Sequence, residues 1–348
     1  MKLNLEQIKS ITLGAVRVEE ENGKLRFHRF TEEQEALYGR ISAEQGRSFN
    51  KRCMATAGVK LRFKTNSETL KLKLEALEST SRHYYSFDVF VNGKPIGYLD
   101  NFSDTEMPAA YTEVVLPRGK AEKEFDLGEG DKEVCIYFPW SINPVFEEIG
   151  LDDGAYIEPI KPDKKLLAFG DSITQGYDAL RPSGSYISIL SDRLHAEVLN
   201  KGIGGEVFFP ELALTKEDLE PDYITVAYGT NDFGTRTYED FMVRCKGFFV
   251  ALSKKYPNSK IFAITPIWRK DHNGERVFGE FFKVEEYIKT VCENLENVTV
   301  ILGYDLVPKD EKYFSDLRLH PNDKGFKYYA DNLYNEISKI LEKEFDKG

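Results

Sequence analysis

The chain has 348 residues, and a composition of 41% hydrophobic and 30% charged residues is that of a soluble globular protein able to bury a sizeable core. Its formal net charge of -11, from 47 Lys and Arg against 58 Asp and Glu, argues against nucleic-acid partners and anionic membranes, because both reward basic surfaces. The four cysteines, Cys53, Cys135, Cys245 and Cys292, lie far apart and form no CxxC pair, so neither a disulfide framework nor a thiolate metal site is expected. The first residues, from Met1 to Lys9, lack the apolar run of a signal peptide, and no stretch approaches the ~18 apolar residues of a membrane span. A cytoplasmic location is the resulting expectation.

Up to about residue 150 the apolar residues alternate and turn signals are frequent. Gly58–Phe63 and Leu70–Glu75 each read as half-buried strands. Tyr85–Val91 runs into Asn92-Gly93, a strong hairpin signal. Lys132–Phe138 follows the turn-rich Gly128-Glu129-Gly130-Asp131. Short strands without a long helical pattern predict an antiparallel β-sandwich, jelly-roll-like, over residues 1–155.

The stretch Glu158–Lys165, with Pro159, Pro162 and several charges, marks the boundary region, and residues 156–348 form the second domain. Strands and helices then alternate. The strands are Leu166–Phe169, Val198-Leu199, Tyr223–Tyr228, Ile261–Ile264 and Val298–Leu302. Helix faces are marked by Tyr186, Ile187, Leu190 and Leu194, and by Tyr238, Phe241, Cys245, Phe248 and Leu252. Two more are marked by Val284, Ile288 and Val291, and by Phe326, Leu333 and Ile337. This order predicts an α/β fold with a doubly wound parallel sheet, whose sites collect at the carboxyl ends of the strands.

Four segments fall at those ends: Gly170-Asp171-Ser172, Asn200–Gly205, Gly229-Thr230-Asn231-Asp232 and Asp316–Asp323. Ester hydrolysis needs a nucleophile with a base in reach, donors for an oxyanion and an acceptor that orients the base. Ser172 supplies the hydroxyl, and His320 an imidazole able to act as its base. The backbone N–H of Ser172, one from the Gly-rich loop and the Asn231 side-chain amide supply donors, and Asp316 is the candidate acceptor. No His/Glu/Asp cluster has metal-ligand spacing, so no metal or cofactor is expected.

These blocks, in this order over residues 166–340, resemble the SGNH (GDSL-type) hydrolase family. The resemblance implies a catalytic sheet of flavodoxin-like order, Ser172 as nucleophile, Asn231 as side-chain oxyanion donor and His320 as base. It places Gly205 as the oxyanion glycine, with Gly204 the one-residue alternative. It also exposes a departure. The family usually has Asp three residues before the histidine, where this chain has Leu317 and carries Asp316 one place earlier. Either a local bulge brings Asp316 to the ring, or a backbone carbonyl orients His320 in a Ser-His dyad.

A β-sandwich ahead of such a domain is similar to the two-domain acetyl esterases of carbohydrate esterase family 2. That implies a short acyl ester, acetyl foremost, on an oligosaccharide, and the chain shows no long apolar lid segment suited to lipid. Trp268 and Arg269 follow the fourth strand on the site side and are candidates for contact with a sugar. The rival readings are a lysophospholipase or thioesterase and a non-catalytic glycan-binding protein. The oligomeric state is not legible in the sequence.

Overall fold

The computed structural model describes residues 1–217 and 219–345. The chain divides into two compact units. The first comprises Met1–Asp163 with Leu180–Ser183 and Glu197–Asn200, and the second comprises Lys164–Ala179, Gly184–Ala196 and the chain from Lys201.

The first unit is built from eleven strands: β1 (Thr12–Leu13), β2 (Arg17–Glu21), β3 (Lys24–His28), β4 (Lys60–Thr65), β5 (Thr69–Glu78), β6 (Ser86–Val91), β7 (Lys94–Asp100), β8 (Lys120–Asp126), β9 (Lys132–Tyr137), β10 (Ile142–Leu151) and β11 (Glu158–Pro159). They form two antiparallel sheets of order β1-β4-β9-β6-β7, with β11 on β4, and β2-β3-β10-β5-β8. Strand β5 shows why. Leu70, Leu72, Leu74 and Ala76 are buried, while the intervening Lys71 and Lys73 reach carboxylates at Glu122, Glu147 and Glu148. The apolar faces of the two sheets meet in one core, where Phe87 of β6 meets Phe146 of β10 edge-on at 5.5 Å. Asn92 and Gly93 both take positive φ (50° and 75°), the geometry a tight β6–β7 hairpin requires.

Three helices belong to this unit: α1 (Leu5–Ile11), α2 (Glu32–Gln45) and α3 (Phe49–Arg52). The 14-residue α2 is a departure from the all-strand expectation. Its inward residues are Gln34, Leu37, Tyr38 and Ser42, too polar a stripe to register as an apolar face. Thr31 and Gln34 form a reciprocal capping box at its start, and Gly46 ends it in the left-handed region.

The remaining five strands, β12 (Lys164–Gly170), β13 (Ala196–Asn200), β14 (Tyr223–Ala227), β15 (Lys260–Ile264) and β16 (Val298–Ile301), form a sheet of order β13-β12-β14-β15-β16. The pairs β12/β14, β14/β15 and β15/β16 are parallel. This is the flavodoxin-like order, whose switch point lies beside the first strand. Its helices are α4 (Ser172–Gln175), α5 (Tyr186–Arg193), α6 (Pro210–Leu214), α7 (Thr230–Thr235), α8 (Tyr238–Lys255), α9 (Phe282–Cys292) and α10 (Asp323–Phe345). Every strand and helix expected from the α/β rhythm is present, with ends moved by a few residues. No helix among the described residues is long and apolar enough to cross a membrane.

Candidate active site

Strand β12 ends at Gly170, and Ser172 opens the four-residue α4. Asp171 caps that turn, its Oδ1 accepting the Ile173 N–H at 2.9 Å. Ser172 is 4% exposed, and its Oγ lies 2.9 Å from Nε2 of His320. On the other side of the ring, Nδ1 lies 2.9 Å from Oδ2 of Asp316. Hydroxyl, imidazole and carboxylate thus form one continuous hydrogen-bonded chain.

The extra residue between Asp316 and His320 is absorbed by the backbone. Leu317 takes φ 55°, in the left-handed region, although it is neither Gly nor Asn. The loop then closes on the aspartate. Asp316 Oδ1 accepts the N–H groups of Arg318 (2.9 Å), Leu319 (2.6 Å) and His320 (3.1 Å), which leaves Oδ2 for the ring. Below, a Phe314–Pro321 bridge and Ser315 N–H donating to His320 O at 2.8 Å pin the base of the loop. The bulge brings Asp316 to the imidazole, so a carboxylate rather than a carbonyl faces Nδ1. Burial alone would raise the Asp316 carboxyl; the hydrogen bond and charge of His320, with the backbone donors, hold it far below the usual carboxylate range.

The Gly-rich loop lies against α4. Gly204 donates its N–H to Gln175 Oε1 at 2.8 Å, and a Cβ there would come within 2.5 Å of the Tyr177 hydroxyl. Gly205 follows at φ 80°. Asn231, in the first turn of α7, donates Nδ2–H to Glu206 O at 2.9 Å, tying its amide to this loop. Behind it, Tyr228 Oη donates to Glu206 Oε2 at 3.0 Å, and Asp232 accepts the Phe208 N–H. Full burial pushes the Asp232 carboxyl up to about 7.

Trp268 and Arg269 both turn inward. Trp268 is 9% exposed, its ring 5.2 Å from Phe314 under the His320 loop. Arg269 is 4% exposed and grips Asp271 with two bonds (2.6 and 2.9 Å), while Nη1 donates to Thr230 O at 2.8 Å. Asp271 in turn accepts Arg318 Nη1 at 3.1 Å, and Lys270 N–H donates to Arg318 O at 2.9 Å. Burial would raise the Asp271 carboxyl, but Arg269 and Arg318 bring it down to about 2. This bridge joins the start of α7, where Asn231 lies, to the loop of His320. It was invisible in the sequence because its four members come from three distant segments. Asp178 was missed as well. It is fully buried, with Oδ2 3.7 Å from His320 Nδ1, and nothing in its local pattern distinguishes it. No group of three or more His, Cys, Asp or Glu among the described residues is placed to hold a metal ion.

Residues 168–328 match the model of the GDSL-like Lipase/Acylhydrolase family. No curated protein sequence matches the chain. Among solved structures, it is similar to the salicylyl-acyltransferase SsfX3 of a tetracycline biosynthetic pathway, at 21% identity and TM-score 0.79, over 94% of both chains. It is also similar to a family two carbohydrate esterase from Clostridium thermocellum in complex with cellohexaose, at 16% identity and TM-score 0.59, over 82% of this chain and 94% of that one. A third neighbour is the acetyl xylan esterase Est2A from Butyrivibrio proteoclasticus, at 18% identity and TM-score 0.56, over 82% of this chain and 90% of that one. The α/β unit that carries Ser172 and His320 contains a GDSL-like lipase/acylhydrolase domain, which a pair of antiparallel sheets precedes in the chain.

Proposed function

We propose that this acylhydrolase is a serine esterase that removes short acyl groups, acetyl foremost, from carbohydrate. The observation that carries the mechanism is the Ser172–His320–Asp316 chain, with both links at 2.9 Å. Ser172 Oγ attacks the ester carbonyl carbon as its proton passes to His320 Nε2. The imidazolium so formed is balanced by Asp316. The N–H groups of Ser172 and Gly205 and the Asn231 amide bind the developing oxyanion. His320 returns the proton to the departing sugar oxygen, leaving an acyl-Ser172 ester. Water then repeats the sequence in reverse roles, releasing the carboxylic acid. Arg269 and Trp268 act from beneath, holding the two loops in register.

The carbohydrate half of the reading rests on the two-unit plan and on what the neighbours are named for, cellohexaose binding and acetyl xylan hydrolysis. The test is product analysis by mass spectrometry on a panel of acetylated oligosaccharides, beside p-nitrophenyl esters of rising chain length. Loss of acetyl units of 42 mass each, on the order of one per site from simple acetate chemistry, is expected, with acetate esters cleaved fastest. Preference for chains beyond about eight carbons sinks the sugar-acetyl reading in favour of a lipid or thioester acyl chain. Transfer of the acyl group to an added alcohol faster than to water would make the enzyme an acyltransferase.

A further inference from the structure

Asp178 lies in the loop that follows α4, in the left-handed region at φ 75°. Asparagine and aspartate tolerate that region better than most residues, but a buried one is held there by its surroundings. The side chain is fully buried. Its Oδ2 accepts the Ser315 hydroxyl at 2.7 Å and lies 3.7 Å from His320 Nδ1. Ser315 belongs to the base of the His320 loop, so one oxygen of Asp178 is anchored to that loop while it faces the ring. The adjacent Tyr177 lies over the imidazole, ring centroids 5.9 Å apart and 27° from parallel. One short segment thus supplies both a lid for the ring and a second carboxylate.

A buried carboxylate is costly to hold as an anion unless a positive group answers it. The His320 imidazolium formed during turnover is such a group. The groups that face His320 are Asp316 from its own loop, Asp178 and Tyr177 from the loop after α4, and Asp171, whose charge acts on it from the end of β12. Asp316 makes the hydrogen bond, at 2.9 Å. Asp178 stands 0.8 Å further off (3.7 against 2.9 Å), within reach of a small turn of the ring.

We propose that Asp178 is a second positioning carboxylate for His320, sharing the imidazolium charge with Asp316 and receiving the Nδ1–H when Asp316 is lost. The inference rests on Ser172 and His320 acting as proposed above. Its consequence is redundancy. Asp316→Asn loses about 10- to 100-fold in kcat and Asp178→Asn about threefold, whereas the double variant falls by the ~10⁴ of a triad stripped of its acid, more than the product of the two.

The experiment is that cycle, read as kcat and KM for an acetate ester across pH 5–9, with Ser172→Ala as the floor and thermal melting as a fold check. In Asp178→Asn the acidic limb of kcat/KM moves to lower pH, because an anion that favours protonated His320 is gone. A merely structural aspartate would lower the melting temperature without moving that limb. Multiplicative losses, or an unmoved limb, overturn the proposal. If Asp178→Asn does not fold, Asp316→Asn alone decides. Activity at least about 100-fold above the Ser172→Ala floor supports a substitute carboxylate, and activity at the floor overturns it. Wild-type activity in Ser172→Ala is a different failure, since it removes the nucleophile assignment itself.

Discussion

The loop that carries Ser172 and the loop that carries His320 each bury an aspartate, and the two are driven in opposite directions. Asp171 is fully enclosed, and burial pushes its carboxyl up to about 6 against the Ile173 N–H and the charges of His320 and Arg269. For Asp316, burial works the same way, but the imidazole and the N–H groups of Leu319 and His320 overcome it. The difference lies in depth, since Asp316 is only partly buried, and in the imidazole and backbone N–H groups aimed at it. A protein can therefore keep one aspartate anionic beside a histidine and hold another, next to a serine, toward its protonated form.

The largest effect expected is at the serine itself. Ser172→Ala should cost at least ~10³-fold in turnover while leaving the melting temperature within a few degrees. Full activity in a folded variant would dissolve the comparison, since neither aspartate would then flank a reacting atom.

Next comes the bridge between the two halves of the site. Arg269→Gln removes a buried guanidinium and leaves Asp271 to Arg318 and Arg276. A loss of about 1–3 kcal/mol in urea unfolding is expected, with kcat down about tenfold and KM nearly unchanged. An unchanged kcat would mean that the His320 loop holds its place without the bridge.

The opposite shifts also predict opposite pH dependences. The folded Asp171 carboxyl titrates near 6 and an unfolded one near 4, so the folded state binds the extra proton between them. Its contribution to stability is present below about pH 4 and declines as pH rises to about 6. Asp316 behaves in the reverse sense. Its contribution is present above about pH 4 and is lost on acidification. Asp171→Asn should therefore stabilise the protein at pH 8 by ~1–3 kcal/mol relative to wild type, with the advantage vanishing near pH 4. Asp232, pushed up to about 7, adds a decline of the same sign that the variant keeps. Urea unfolding at pH 4, 6 and 8 checks this, and a constant offset between variant and wild type would contradict it.

The smallest effect belongs to the bulge. Leu317→Gly relieves a left-handed side chain that is about one-third exposed, so stability should change by no more than ~1 kcal/mol and activity by about twofold. A tenfold loss of activity would show that Leu317 does more than let the chain turn.

Much of the fold is legible in the sequence. Ser172, Asn231 and His320 could be picked out because each follows a strand whose apolar run is unmistakable, and a strand end is where an open α/β sheet exposes backbone to ligand. Helix α2 was not legible by periodicity, since its buried stripe includes Gln34 and Ser42. Trp268 and Arg269 were candidates for contact with a sugar from their topological side alone. Whether a loop residue turns inward depends on partners such as Phe314 and Thr230, which lie 46 and 39 positions away.

What the sequence by itself determined is the set of elements and the order in which their reactive residues arrive, because both follow from local periodicity and turn chemistry. Tertiary structure alone decided which group meets the His320 ring. One extra residue before His320 left acid and carbonyl equally open, and the choice fell to a backbone angle at Leu317 and three N–H groups converging on Asp316. A left-handed residue costs only about 1–2 kcal/mol, too little to be read from residue type and easily offset by the hydrogen bonds it allows. Asp178 follows the same logic, since 137 residues separate it from the serine that binds it and only the folded chain brings it to the ring.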